Sequence, residues 1–472
     1  MIAEFVARVS RVAVLAVAVT VLPAASSAES LGDALASAYE HSGLLEQNRA
    51  LLRAADEDVA VALSALRPIL SWSSKISRTV TESYAPNQVG QFVMSSTDSR
   101  EMSFAVSAEL LLYDFGATQL GLDAAKESVL AAREALGAVE QQVLLRALQA
   151  YVNVQRASET VALRQNNQRL VSQELRAARD RFEVGEVTRT DVALAEARLA
   201  SSRASLDAAQ GDLMRAQEEY RAVIGRKPGR LAPITRLPEV EWNADKAKSV
   251  ALRTHPDMRR AQYEVSVADI NVRRADAAMK PTVKAKGSLS RAIDLESPTW
   301  QDRGEIAMEF GGPIYQGGRL SALARQARAR SDSARGALHV TRHDVAQNVG
   351  NALAALKVAN ASIEATQRQI RAARVAFRGV REEATLGQRT TLDVLTAEQE
   401  LLDAETAFAS AVADRTIATY QVLAAMGLMT AKHLNLRVQH YDPAEYYNLI
   451  KNAPAKSIQG DKLDRILRKI GK

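Results

Sequence analysis

Two groups of side chains have types and spacings that chemistry would need. His339 and His343 lie four residues apart, a spacing that lets one helix face bind a metal ion, but no third ligand lies near them in the sequence. Asp56, Glu57 and Asp58 form an acidic run of the kind from which paired catalytic carboxylates are drawn. Adjacent residues of a helix point in different directions, however, so the run is more typical of a solvated helix face. Neither group predicts a metal centre or a catalytic site.

A glycine-rich segment resembles a phosphate-binding loop only in composition. Pro313, Gly317 and Gly318 fall in one short stretch, but the lysine and the spacing of such a loop are missing. The stretch is more consistent with a junction between a strand and a helix, where glycine allows strained backbone, and Gly116 marks an equivalent junction earlier in the chain. The sequence contains no nucleophile elbow and no dinucleotide fingerprint. We therefore predict that the protein is not an enzyme and needs no cofactor.

The charged residues of greatest interest lie in two related turns between long helical patterns. In the second turn Gly387 interrupts one helix, and residues that favour helix starts follow it. In the first turn, 202 residues earlier, Gly185 is followed by an aspartate at the same spacing. Each turn therefore predicts the tip of a helical hairpin. The tip residues are Gly185, Thr190 and Asp191 in the first turn, and Gly387, Thr390, Thr391 and Asp393 in the second.

The two turns belong to an internal repeat that covers most of the chain. With an offset of 202 the sequence matches itself without gaps from about residue 105 to 225, so that Tyr113 aligns with Tyr315. The part before it matches at an offset of about 213, which aligns Pro68 with Pro281. The predicted domains are a signal peptide at 1–28, a first repeat at 29–225, a linker at 226–243, a second repeat at 244–427 and a C-terminal segment at 428–472.

Each repeat is predicted to contain one helix followed by two strands. The helices, Ser30 to Leu66 and Ala244 to Met279, both stop just before a proline. Apolar residues then alternate with mostly polar ones, as in the strands of a membrane barrel. Four strands cannot close a barrel, so a barrel requires an oligomer, and the alternative is a soluble antiparallel sheet. The alternating runs are Met102 to Leu112, Val283 to Leu289, Ile306 to Phe310 and, more weakly, Trp72 to Ile76, joined by polar loops at Tyr84 to Ser99 and Asp294 to Asp302.

A very long helical hairpin completes each repeat. Ala117 to Val184 and Arg319 to Leu386 contain no proline, and helices of this length extend roughly 100 Å. The helix after each tip shows a heptad pattern of small and apolar residues, which predicts a left-handed coiled coil. In the second repeat Arg415 alone interrupts that pattern. Aromatic residues make up only 5% of the chain, and the composition favours long helices over a compact α/β enzyme.

The two ends of the chain differ from its repeats. Arg8 and Arg11 precede a short apolar run, and small residues up to Ala28 offer a cleavage site, so residues 1–28 predict an export signal. The chain has no cysteine, and no later segment has enough consecutive apolar residues for a membrane-spanning helix, so a membrane span would have to be a closed barrel. The tail from Lys451 to Lys472 has seven Lys/Arg against two Asp. We interpret it as a solvated end and predict no nucleic-acid partner.

With these features the chain resembles the TolC family of outer-membrane channels. The resemblance rests on Pro313 to Gly318, Arg181 to Gly185, Thr190 to Val192 and Gly387 to Leu395, together with the repeat. It implies a mainly α fold with a membrane β-barrel: a homotrimer in which each chain gives four strands to a twelve-stranded barrel and its helices to a periplasmic α-barrel. It also implies outer-membrane lipid around the barrel, and an inner-membrane transporter and a periplasmic adaptor as partners.

The resemblance also assigns roles to residues at the tips. Asp393 matches the acidic position that rings the periplasmic entrance, and three such carboxylates would favour cations. Thr396 occupies a second acidic position of the family, so one acidic ring is expected rather than two. Family links that hold the tips shut map to Arg389 and Asp191, but Ala384 replaces the tyrosine that takes part.

Two questions stay open at this point. Glu174 stands where the family has a glutamine, and the resemblance makes it another candidate partner for an arginine at the tip. The alternative is that Glu174, Asp191 and Arg389 make ordinary ion pairs on helix faces. The opening helix of the mature chain resembles the branch that serves type I protein secretion, and small-molecule efflux is the alternative. A soluble periplasmic coiled-coil scaffold is the alternative of a different class.

Overall fold

The structure is a computed structural model that describes residues 28–241, 243–450 and 465. The predicted export signal, apart from residue 28, and nearly all of the basic tail lie outside these residues. Helices and strands follow one another in the order α1 (Leu31–His41), α2 (Gly43–Ser64), β1 (Ile69–Pro86), β2 (Phe92–Tyr113), α3 (Ala117–Glu183), α4 (Arg189–Ile224), α5 (Ala244–Thr254), α6 (Pro256–Ala277), β3 (Thr282–Asp294), β4 (Trp300–Gly311), α7 (Arg319–Thr385), α8 (Thr391–Ala425) and α9 (Pro443–Ile450).

The prediction of one continuous helix at the start of each repeat is wrong. Ser42 is extended and caps α2 by accepting a hydrogen bond from the Leu45 amide at 3.3 Å. In the second repeat His255 is extended because Pro256 follows it, and the proline then begins α6. Each opening helix is therefore two helices in sequence.

The sheet is antiparallel, with the strands in the order β1-β2-β3-β4. The predicted loop from Tyr84 to Ser99 is wrong, because β1 pairs with β2 up to Pro86 opposite Phe92. Only a short turn remains, in which the Asn87 side chain accepts hydrogen bonds from the amides of Val89 and Gln91. This part of the hairpin carries many Ser and Thr residues, which hide the alternation of a half-buried strand. The second predicted loop is also shorter, since β4 begins at Trp300.

One face of the sheet carries most of its large apolar side chains, together with the ion pairs Arg78–Asp98 and Arg291–Asp302, and has no cover within the chain. Trp72 is 79% exposed and Ile306 is 94% exposed, and most of the large side chains on this face are exposed. The opposite face carries small polar residues and charge pairs, among them Lys284 and Glu109 at 2.8 Å. An exposed apolar surface of this extent marks contact with a membrane or another chain.

The long helices agree closely with their predicted bounds. Both α3 and α7 have 67 residues, or roughly 100 Å at 1.5 Å per residue. The predicted heptad seam of α4 is buried against α3 or partly so along its length, with Ala195 and Tyr220 fully buried. In α8 the same seam is buried or half-buried along its length, and Arg415 is one of its half-buried positions. Among the described residues, no helix is both long and apolar enough to cross a membrane.

The four hairpin helices differ in how many neighbours they have. Away from the sheet, α3 lies between α4 and α8, and α8 lies between α3 and α7. Nearer the sheet, α6 packs between α3 and α7, and α2 packs against α3. The helix α8 therefore has two buried sides, whereas α4 and α7 each present an open flank.

The largest hydrophobic cluster forms a belt around the middle of α3. The linker crosses the helix there, and Glu29 pairs in parallel with Leu231 of the linker. The hydroxyl of Tyr151 lies 2.7 Å from the Ala232 carbonyl oxygen and 2.9 Å from that of Glu29, so its proton always has an acceptor. Tyr151 thus fixes the linker to the long helix.

The C-terminal segment covers the other side of this belt and overturns one expectation. Asp56 was expected on a solvated face but is fully buried, and burial raises its pKa to about 6. The segment also covers Arg49, whose guanidinium lies over the Tyr39 and Tyr441 rings, 5.1 Å from each centroid. Contacts between segments so far apart in the sequence are not encoded in local patterns. Asp58 is exposed, and Glu57 accepts a hydrogen bond from Tyr446 at 2.6 Å.

We predict that Tyr151→Phe lowers the free energy of unfolding by about 1 kcal/mol, the net value of one hydrogen bond. Both carbonyl oxygens keep a second partner, since Ala232 also accepts from Gln155 and Glu29 accepts from the Ala232 amide. The measurement is denaturant unfolding of the purified protein. Tyr420→Phe is the control, because among the described residues the hydroxyl of Tyr420 has no hydrogen-bond partner. Equal losses in the two variants would contradict the assigned role of Tyr151.

Candidate functional site

Both hairpin tips turn on a glycine in the left-handed region. Gly185 has φ of 81° and Gly387 has φ of 73°. The amides after each helix bond back to its last carbonyl groups: Glu186 to Arg181 at 2.9 Å, and Gln388 to Glu383 at 3.0 Å. This geometry satisfies the open end of the helix and reverses the chain. A side chain at either glycine would meet no neighbour within 4 Å, so the conformation and not crowding requires glycine.

The next helix of each hairpin begins with a reciprocal capping box. Thr390 caps α8, and its hydroxyl and amide lie 2.9 and 3.0 Å from Oδ2 of Asp393. In the first repeat the cap is Thr188, which makes the same contacts with Asp191. Thr190, predicted as a tip residue, is the second residue of α4, two positions after this cap. A threonine three residues before the aspartate was the signal for the correct cap.

The capping contacts also set the charge of the two aspartates. Hydrogen bonds from the backbone and the side chain of Thr390 hold the pKa of Asp393 below its usual value. Those from Thr188 do the same for Asp191. The positive end of the helix dipole favours the same charge state. Both carboxyl groups are therefore ionised at neutral pH.

Two of the predicted gate restraints, Arg389 and Asp191, lie at the tips, but their contacts within the described chain are local. Nε of Arg389 lies 2.9 Å from Oε2 of Glu383, and this hydrogen bond raises the pKa of Arg389. The carboxylate of Asp191 instead bonds to its own cap. Glu174 does pair with an arginine, but with Arg381 of α7 at 3.6 Å. A link between Arg389 and Asp191 stays a prediction.

The two positions that depart from the family pattern are now placed. Thr396 is exposed on α8, and its hydroxyl donates to the Leu392 carbonyl oxygen at 2.8 Å. Ala384 is buried in the last turn of α7. Neither side chain can carry charge, so Asp393 stays the one acidic position predicted for the entrance in the second repeat.

Behind the tips lies a compact contact between three helices. Val171 and Leu175 of α3, Ala195 and Leu199 of α4, and Leu395 of α8 form one apolar cluster. Next to it, Asn167 donates to Glu398 at 2.9 Å. The sequence showed Glu398 only as the repeat partner of Glu196, which is exposed and pairs with Arg179 at 2.6 Å. The two glutamates differ because α8 has two buried sides and α4 has one.

The strand-to-helix junctions have the predicted glycine conformations. Gly116 and Gly318 cap α3 and α7 with φ of 83° and 82°, and Gly317 is also left-handed. Pro313 is half-buried just before the second junction. His339 and His343 are exposed on α7, and no group of acidic and histidine side chains within the described ranges is arranged to hold a metal ion.

Comparison with known proteins assigns the chain to a family. The family model for outer membrane efflux proteins matches residues 34–226 and 248–428, which correspond to the two repeats. The outer membrane efflux protein BepC of Brucella suis is 36% identical over 91% of this chain and 92% of its own length. The alkaline protease secretion protein AprF of Pseudomonas aeruginosa is 23% identical over 82% of each chain.

A solved structure has the same fold. The CmeC outer membrane channel of Campylobacter jejuni superimposes with a TM-score of 0.75 over 89% of each chain, at 19% identity. The repeat, the four antiparallel strands and the paired long helices are therefore the features of one known architecture. The chain belongs to the outer membrane efflux protein family of TolC-like channels.

Proposed function

We propose that this outer-membrane channel is the exit duct for polypeptides secreted by an inner-membrane transporter, to which a periplasmic adaptor connects it. One observation carries the proposal: a sheet with an uncovered apolar face continues directly into helices roughly 100 Å long that end in hairpin tips. The sheet supplies a surface for lipid, and the helices supply a conduit that reaches far into the periplasm.

The open flanks of the single chain support assembly from several copies. Exposed apolar side chains follow α7 at intervals near multiples of 3.5 residues, at Val340, Val358 and Val375. Met214 is exposed on α4, at the other edge of the same helical layer. Channels of this family are trimers. We infer that α7 of one chain packs against α4 of the next, which closes both the helical wall and the sheet.

The entrance would then be ringed by three copies of Asp393. The carboxylate is ionised at neutral pH because its own capping contacts stabilise the charge. Three negative charges around a narrow opening attract cations and repel anions. Since Thr396 adds no second ring, selectivity at the entrance depends on one position.

The tip also contains the groups that would keep it closed. Arg389 carries a positive charge beside the Asp393 ring and is anchored by Glu383. We infer that its guanidinium bridges the tip to Asp191 when the trimer is closed. Docking of the adaptor would break this contact, and the transporter would supply the energy, because the sequence has no nucleotide-binding motif.

We predict that Asp393→Asn reduces the preference for cations several-fold. Asparagine keeps an acceptor oxygen for the cap but removes the charge, so the helix start is retained. The measurement is the reversal potential of the purified protein in a planar bilayer under a salt gradient. Asp403→Asn, farther along α8, is the control and should leave the reversal potential unchanged. An unchanged potential in Asp393→Asn would exclude this ring as the selective element.

We predict that Arg389→Ser raises the mean conductance, because it removes the charge that restrains the tip. Planar-bilayer recording at neutral pH is the measurement, and Arg189→Ser at the other tip is the control. Asp191→Asn and Glu383→Gln show which partner of Arg389 restrains the tip. A higher conductance in Asp191→Asn alone indicates the bridge between the tips. A higher conductance in Glu383→Gln alone indicates the contact within the second tip. Wild-type conductance in Arg389→Ser would mean that the restraint lies elsewhere.

Small-molecule efflux is the second candidate, favoured by the 36% identity to an efflux protein, whereas the similarity to AprF supports secretion. A soluble scaffold does not fit a family of outer-membrane channels.

Deletion of the gene in its own bacterium tests the choice between protein secretion and small-molecule efflux. Loss of one or more proteins from the culture medium, with unchanged drug susceptibility, is the expected result. Increased drug susceptibility with an unchanged set of secreted proteins would favour efflux instead.

A further inference from the structure

A buried contact between an acid and an amide joins the two repeats next to the apolar cluster behind the tips. Nδ2 of Asn167 in α3 donates to Oε1 of Glu398 in α8 at 2.9 Å, across 231 residues of sequence. Glu398 is 3% exposed and Asn167 is 6% exposed. A carboxyl group so far removed from water is rare unless it is paired with a positive charge.

The hydrogen bonds of Glu398 do not satisfy an ionised carboxylate. Its second oxygen, Oε2, is buried and has no partner among the described residues. An ionised carboxylate offers several acceptor sites, and leaving one oxygen buried without a donor costs free energy. When Glu398 is protonated, a neutral O–H group occupies this position in place of a charged oxygen. Burial raises the pKa of Glu398 to about 7, although the bond from Asn167 opposes this shift.

The charged groups that face Glu398 do not supply a dedicated counter-charge. Glu174 of α3 repels the ionised form, whereas Arg198 of α4 and Arg381 of α7 favour it. Arg381 is already paired with Glu174 at 3.6 Å. Glu398 therefore lies where four helices converge, with its charge only partly compensated.

This contact lies where α8 must separate from α3 if the tip opens. Leu395, one turn closer to the tip, packs against Val171 and Leu175 of α3. Thr391, a further turn away, is also buried, and its hydroxyl has no partner among the described residues. Moving α8 outward would admit water to both polar groups, and the ionised form of Glu398 would gain most from hydration.

We propose that Glu398 is a proton-sensitive gating residue: when protonated it holds α8 against α3 and keeps the tip closed, and when ionised it favours separation of the two helices. This inference rests on the proposed duct function. It adds a control that acts behind the tip, independently of the Asp393 ring and of Arg389.

The direction of the pH dependence follows from the two environments of the carboxyl group. Once α8 has moved away, Glu398 titrates near the ordinary glutamate value of 4.5, whereas in the packed arrangement its pKa is about 7. Protonation of Glu398 therefore favours the packed arrangement fully at pH values below 4.5. This advantage is lost as the pH rises through about 7. Since one pKa unit corresponds to a tenfold change, the shift in the closed-to-open equilibrium reaches on the order of a hundredfold. Asp393 stays ionised between pH 5 and pH 8, because its pKa is lowered.

The test is single-channel recording of the purified full-length protein in planar bilayers between about pH 5 and pH 8. We expect the open probability of the wild type to rise at least tenfold across this range, with a midpoint near the pKa of about 7. Glu398→Gln should keep the low open probability of the acid form throughout. Glu400→Gln is the control, because Glu400 is exposed on the same helix and should leave the wild-type profile unchanged.

A second variant tests the contact from the other side. Asn167→Asp places a second carboxyl group against Glu398, so it should move the midpoint to higher pH and make it depend on both groups. The inference is overturned if Glu398→Gln retains the wild-type pH profile, or if Asn167→Asp leaves the midpoint in place. If the wild type forms no channel at any pH, the proposed duct function fails rather than this inference alone.

Discussion

Close packing along four very long helices is the constraint on which the rest of the structure depends. The seams are made largely of small residues, such as Ala195 and Ala209 in α4 and Ala404 and Ala411 in α8, which let helix axes approach closely. A coiled coil of this kind fixes the helices along their whole length. The tips are therefore held at a defined distance from the sheet, and small changes in helix packing are transmitted to the entrance.

The internal repeat gives two similar hairpins, but packing makes them unequal. In the described chain α4 contacts mainly α3, whereas α8 is enclosed by α3 and α7. The same sequence position consequently holds an exposed, paired Glu196 in one copy and a buried Glu398 in the other. Functional differences between the copies thus arise from the arrangement of the helices as well as from the residues that differ.

The parts of the fold governed by local periodicity were predictable from the sequence. The bounds of α3 and α7, the heptad seams and the glycine turns follow from patterns that a helix imposes on its own sequence. The breaks at Ser42 and His255 were missed because each depends on a single capping residue. The strand ends near Asn87 were missed because Ser and Thr on both faces conceal the alternation.

The site was predictable only in part. Motif position located Arg389 and Asp393 at the tip, but their contacts with Glu383 and Thr390 depend on side-chain geometry within the turn. Burial of Asp56 and Glu398 was not predictable, since Tyr441 of the C-terminal segment lies near Asp56, and Glu398 contacts Asn167, 231 residues away. Local sequence carries no record of such distant contacts.

The central claim is that the current passes between the hairpin tips and is controlled there. Because the native chain has no cysteine, Thr396→Cys gives a protein with a single reactive position per chain, next to Asp393. The most direct measurement is the conductance of this variant in a planar bilayer before and after reaction with a bulky thiol reagent. The account predicts that labelling blocks most of the current, whereas labelling of Ile306→Cys on the apolar face of the sheet does not. Unchanged conductance after complete labelling at position 396 would contradict it.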